Sequence, residues 1–108
     1  MNIVTLPELA QNLLSLGYPV AYSHFSSVQT LPFITYIETA PTLHKGDDVV
    51  QEKTINIDIE LYSKNKDSVA ESKIEKLLND NEIPYGISPL IYIDDEKIFQ
   101  RVFSIALI

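Results

Sequence analysis

Cysteine is absent from this chain, so it can build neither a disulfide framework nor a thiolate metal site. Glycine is scarce: the three residues, at 17, 46 and 86, are too far apart to write a dinucleotide-binding or P-loop fingerprint, which needs clustered glycines. Basic residues are also few, eight Lys and Arg against fifteen Asp and Glu, for a formal charge of -7. The lysines at 45, 53, 64, 66, 73, 76 and 97 are scattered among acidic neighbours. Phosphate contacts supply most of a nucleic-acid binder's affinity and require a basic stripe, so tight DNA or RNA binding by this chain alone is not expected. No apolar run approaches the ~20 residues of a membrane span. The opening MNIVTLPELAQNLLSLG has no basic leader and places Glu8 inside its apolar stretch, so it does not read as a signal peptide. A soluble chain with no membrane contact is expected.

What is present fits one globular domain over residues 1–108, with 45% apolar and 21% charged residues. Thr5-Leu6-Pro7-Glu8 has the spacing of a capping box, and Leu6, Leu9, Ala10, Leu13 and Leu14 form one helical stripe. Gly17 and then Pro19 stop that helix. PVAYSHF, residues 19–25, reads as a short strand, and LPFITYIET, residues 31–39, as a longer one that Pro32 confines to its start or to an edge. Ala40 to Val49 has proline, glycine and paired aspartates without periodicity, the marks of a loop.

QEKTINIDIELYSKNKDSVAESKIEKLL, residues 51–78, is the most regular stretch. Ile55, Ile57, Ile59 and Leu61 alternate with Thr54, Asn56, Asp58, Glu60 and Tyr62, as in an antiparallel strand with one face on a core. Asp67 or Ser68 then caps a helix with Ala70, Ile74, Leu77 and Leu78 inward and Glu71, Lys73, Glu75 and Lys76 outward. NDNEIPYGIS, residues 79–88, reads as a turn-rich connection. Leu90 to Ile93 and Lys97 to Leu107 read as a hairpin around Asp94-Asp95-Glu96, and the last strand, largely apolar on both faces, reads as one deep in the sheet or covered on both sides. The expected fold class is α+β, a two-layer sandwich of a mainly antiparallel β-sheet with two α-helices on one face, in the order α-β-β-β-α-β-β.

Reactive groupings are weak. His44 with Asp47 and Asp48 offers an imidazole and carboxylates in one loop, but matches no zinc spacing, and loop polarity explains it better. His24 between Ser23 and Ser26 lacks a nucleophile elbow and an orienting acid. Asp94-Asp95-Glu96 lacks the EF-hand spacing, and Lys64 and Lys66 before a helix lack a glycine-rich loop. No catalytic residue, cofactor or metal is expected. The aromatic residues Phe33, Tyr36, Tyr62, Tyr85, Tyr92, Phe99 and Phe103 fall on or beside strands. Most belong in the core, yet a sheet covered on one side cannot hide them all, so some should meet another subunit.

Read together, Leu31-Pro32-Phe33, Asp47-Asp48-Val49, Leu61-Tyr62, Glu71 with Glu75, Ile83-Pro84-Tyr85 and the hairpin from Tyr92 to Phe103 form a pattern that covers most of the chain from Leu31 onward. It resembles the small tail-completion proteins of long-tailed bacteriophages and prophages, also called tail terminators or head–tail joining proteins. The resemblance implies a non-enzymatic virion subunit that closes into a ring, a hexamer in that family, on the end of the tail tube. Its partners would be itself, the tail-tube protein and head connector proteins, with DNA passing through an acidic lumen without sticking. The implied location is the host bacterial cytoplasm during assembly and then the head–tail interface; whether the free chain is monomeric is left open. On this reading the candidate subunit or partner contacts are Phe33, Tyr36, Leu43, His44, Asp47, Asp48, Tyr62 and Phe99. The alternative is a small ferredoxin-like ligand-binding or regulatory α+β module that uses its free sheet face.

Overall fold

The computed structural model describes Ile3, residues 5–44 and residues 52–107, with His44, Glu52 and Lys53 described by backbone alone. Asp47 and Asp48 therefore lie outside the described residues. Helix α1 spans Leu6–Leu14 and is followed by β1 (Val20–Tyr22), β2 (Phe33–Glu38), β3 (Thr42–His44) and β4 (Glu52–Ser63). Helix α2 (Ser68–Asp80) precedes β5 (Tyr85–Ile87), β6 (Ile91–Ile93) and β7 (Ile98–Leu107).

The caps form where the spacing places them. Thr5 Oγ1 accepts from the Glu8 backbone N–H at 3.3 Å and donates to Glu8 Oε1 at 2.9 Å. Asp67 is the cap of α2, accepting from the Ala70 N–H at 3.0 Å. Gly17, at φ +95°, supplies the left-handed backbone that ends α1.

Among the described residues seven strands join one sheet, with the main order β1-β2-β4-β7-β5; β3 pairs with β4, and β6 with β7. Of these pairs only β1 and β2 run parallel. β7 lies inside the sheet, but only one of its faces is covered: Phe103, Ile105 and Leu107 are buried under the helices, whereas Ser104 and Ala106 on the other face are exposed. The fold is thus an α+β sandwich whose helices cover one side. Leu9 and Leu13 of α1 and Ala70, Ile74, Leu77 and Leu78 of α2 pack with Ile34, Ile57, Ile59, Leu61, Phe103, Ile105 and Leu107 in one core. The ladder aligns these residues: Ile34 faces Leu61, Ile57 faces Ile105, and Ile59 faces Phe103.

Two short strands add to the expected order. β5 lies in the stretch expected to be a turn-rich connection; its Gly86 and the neighbouring Pro84 mask it in sequence. β3 interrupts the stretch expected to be a loop. Between the Glu38–Ile57 and Thr42–Thr54 pairs, three residues (39–41) face two (55–56), so the chain bulges there. Asn56 closes the bulge: its Nδ2 donates to Ala40 O and to Thr42 Oγ1, both at 2.9 Å. Past this point β4 residues 52–54 pair with β3 alone among the described residues, since the β4–β7 ladder ends at Ile55–Leu107. β3 and the start of β4 therefore form an arm beyond the sheet body, on a molecule 50 Å in its longest dimension.

Two substitutions separate body from arm. Phe103→Ala opens a cavity at a fully buried site and should cost about 3–5 kcal/mol in urea unfolding. Asn56→Ala should leave the unfolding free energy in urea within about 1 kcal/mol of the wild type. It should instead speed amide exchange at 42–44 and 52–54 selectively.

Candidate functional site

The sheet face turned away from the helices carries Phe33, Thr35, Asp58, Glu60, Tyr62, Ile98, Gln100, Val102 and Ser104, as the period-two alternation requires. At one end the aromatic residues make a continuous patch. Phe33 lies opposite Tyr62 in the ladder and stacks on it, with centroids 5.0 Å apart and planes at 25°. Phe25 meets Phe33 edge-on at 5.3 Å. Phe25 arrives there because residues 23–32, which connect the parallel neighbours β1 and β2, cross over this face.

Below the aromatic patch runs a polar network. Thr35, only 3% exposed, donates to Glu60 Oε1 at 2.8 Å. Gln100 Nε2 donates to the Tyr62 hydroxyl at 3.0 Å and to Glu60 Oε2 at 3.4 Å. Further along, Ser104 donates to Asp58 at 3.0 Å. Burial first, and then the Glu60 charge, push the Tyr62 phenol above its ordinary pKa. The crossover, β2 and the β6–β7 hairpin line an open pocket of ≈ 600 Å³. Its apolar walls include Phe25, Leu31, Phe33, Ile93 and Ile98, and Glu96 lines it as a carboxylate. His24 also lines it, with Nδ1 3.2 Å from Ser23 Oγ.

The sequence candidates divide between the two sides. Phe33 and Tyr62 come together on the open face. Tyr36, two residues from Ile34 in β2, points to the helix side, packs against the core and meets Tyr22 edge-on at 5.2 Å. Phe99 pairs with Tyr92 at 5.0 Å on β7 and β6. Leu43 sits on the arm, 53% exposed, with His44 next to it at the end of β3. His24 and His44 are not neighbours in the fold, and among the described residues no group of three or more His, Asp or Glu is placed to hold a metal.

The helical pattern predicts Glu71 on the solvent face of α2, but in the fold it is only 8% exposed. Its Oε1 accepts from Arg101 Nε at 3.3 Å, and Lys66 Nζ lies 3.4 Å from Oε2. The signal lay in β7: Arg101 shares the parity of Phe103, Ile105 and Leu107, so it faces the helices and requires a carboxylate there. Its Nη1 also donates to Ser88 O at 2.9 Å, tying the β5–β6 link to α2. On the same side the Tyr85 phenol, which donates to Glu75 at 3.0 Å, is pushed above its ordinary pKa by burial and then by that bond.

In comparisons with known proteins, no protein-family model and no curated protein matches the chain.

Two measurements follow. Arg101 is mostly shielded, whereas Lys66 is half in solvent. Glu71→Ala should therefore cost about 2–4 kcal/mol and Lys66→Ala under about 1, by urea unfolding. With the Tyr62 and Tyr85 phenols raised in the folded state, their contribution is complete below the unfolded tyrosine pKa of about 10 and is lost as pH rises toward the folded values. Stability should fall across this alkaline window, and less steeply in Tyr62→Phe.

Proposed function

We propose that the chain is a structural virion subunit that caps a phage or prophage tail tube as a ring and offers a docking surface for the head, as a tail terminator or head–tail joining protein. It acts by shape and contact, without catalysis. The carrying observation is the sheet with helices on one side only, its other face presenting the Phe25–Phe33–Tyr62 patch and its edge extended by the β3–β4 arm. A self-assembling subunit needs complementary surfaces at different places on the same molecule, because a ring is closed by heterologous contacts. The resemblance running from Leu31 to Phe103 supports the same reading. The charge of -7 suits a conduit along which DNA slides.

The rival is the small ligand-binding or regulatory module, and the ≈ 600 Å³ pocket favours it, being of the size that takes a small molecule. Its ferredoxin-like form is less well supported. Among the described residues no strand precedes α1, so the β-α-β-β-α-β order is not met there.

Electron microscopy of particles produced without this chain decides between them. The proposal expects overlong or headless tails, restored by the wild-type chain. Tails of normal length with heads attached would overturn it.

A further inference from the structure

The pocket on the helix-free face combines an apolar wall with charge of one sign. Phe25, Phe33, Ile93 and Ile98 supply the wall. Phe33 stacks on Tyr62 and meets Phe25 edge-on, so the three rings hold one another in place. Glu96 is the one Asp, Glu, Lys or Arg among the lining residues. It is exposed, and it makes no hydrogen bond or ion pair among the described residues. A second carboxylate adjoins the lining: Glu60 accepts from Thr35 at 2.8 Å and from Gln100 at 3.4 Å. The Tyr62 phenol, itself part of the lining, feels both charges. Its pKa is raised first by burial, then by Glu60 and to a smaller extent by Glu96. His24, also in the lining, is engaged with Ser23. Such a space sorts molecules by charge. An anion would meet two carboxylates and no lysine or arginine. A cation on an apolar stem gains twice: its body covers the wall, and its charge approaches Glu96 and the aromatic rings. The volume of ≈ 600 Å³ lies within the range of small-molecule pockets, about 300–1,000 Å³.

We infer that this pocket is a binding site for a small organic ammonium ion, with its apolar body against Phe25, Phe33, Ile93 and Ile98 and its charged head toward Glu96. The site belongs to the free chain and is independent of the ring reading.

Three probes of similar shape and different charge test it: phenethylammonium, phenethyl alcohol and hydrocinnamate. Each is titrated into the full chain at neutral pH while the backbone amide shifts are followed by NMR. Saturable shifts are expected at residues 23–33 and 93–98, with the amides of α1 unmoved. The ammonium should bind about tenfold more tightly than the alcohol, the combined worth of one exposed carboxylate and one aromatic contact, and hydrocinnamate should bind most weakly. Glu96→Gln changes the charge at an exposed turn and keeps the size of the side chain. It should bring the ammonium down to the affinity of the alcohol and leave the alcohol unchanged. Phe25→Ala should weaken both by a similar factor. Equal affinity for the three probes, saturable shifts away from the pocket, or no saturable shift with any probe would each overturn the inference. So would an ammonium preference that survives Glu96→Gln, or Phe25→Ala without effect. Particles produced without the chain report on the ring reading alone, so either proposal can fail without the other.

Discussion

Strand β4 touches both halves of the sheet, pairing with β2 and β3 along one edge and with β7 along the other. Its residues Ile57, Ile59 and Leu61 are fully or almost fully buried under the helices, and Asp58 and Glu60 face the opposite way. A slip of one residue would drive two carboxylates into the core and expose three large aliphatic side chains. Each buried aliphatic side chain contributes about 1.5–3 kcal/mol, and an unpaired buried carboxylate costs more than that. No alternative register is competitive. Because β4 is fixed, so are the Phe33–Tyr62 stack, the Thr35–Glu60–Gln100 network and the point at which the arm leaves the sheet.

The two faces then carry different duties. The helix side is closed by apolar packing and tied by the Arg101–Glu71 pair, which links β7, α2 and the Ser88 carbonyl. The other side keeps polar groups satisfied through side-chain bonds within the strands and leaves its aromatic end only partly roofed by residues 23–32. A face arranged in this way tolerates water but gains by losing it, as expected of a surface that acquires a neighbour. The same arrangement suits the ring proposed for this chain.

Long periodic segments were legible in the sequence. The alternation from Thr54 to Tyr62, the Thr5 cap of α1, and the acidic turn at Asp94–Glu96 each carry a local physical signal, and each appears in the fold. β3 and β5 were not legible, because each is three residues long and set among loop-forming residues, Pro41 and Gly46 around β3 and Pro84 and Gly86 at β5, whose local signal outweighs so short a strand. The burial of Glu71 depends on Arg101, thirty positions away. The patch that joins Phe25 to Phe33 was equally hidden, since nothing local directs residues 23–32 across the sheet. Of the candidate contacts, Phe33 and Tyr62 follow from parity once the β2–β4 register is known, and the same register sends Tyr36 to the other side.

The central claim is that the helix-free face of the sheet is the surface that other subunits cover. Hydroxyl-radical footprinting of the free chain against the chain in assembled particles tests it most directly. The account predicts protection of Phe25, Phe33, Tyr62 and Ile93 on assembly, while Leu14 and Val69 on the helix layer keep their reactivity. Protection of Leu14 and Val69 with the aromatic patch unchanged would contradict it.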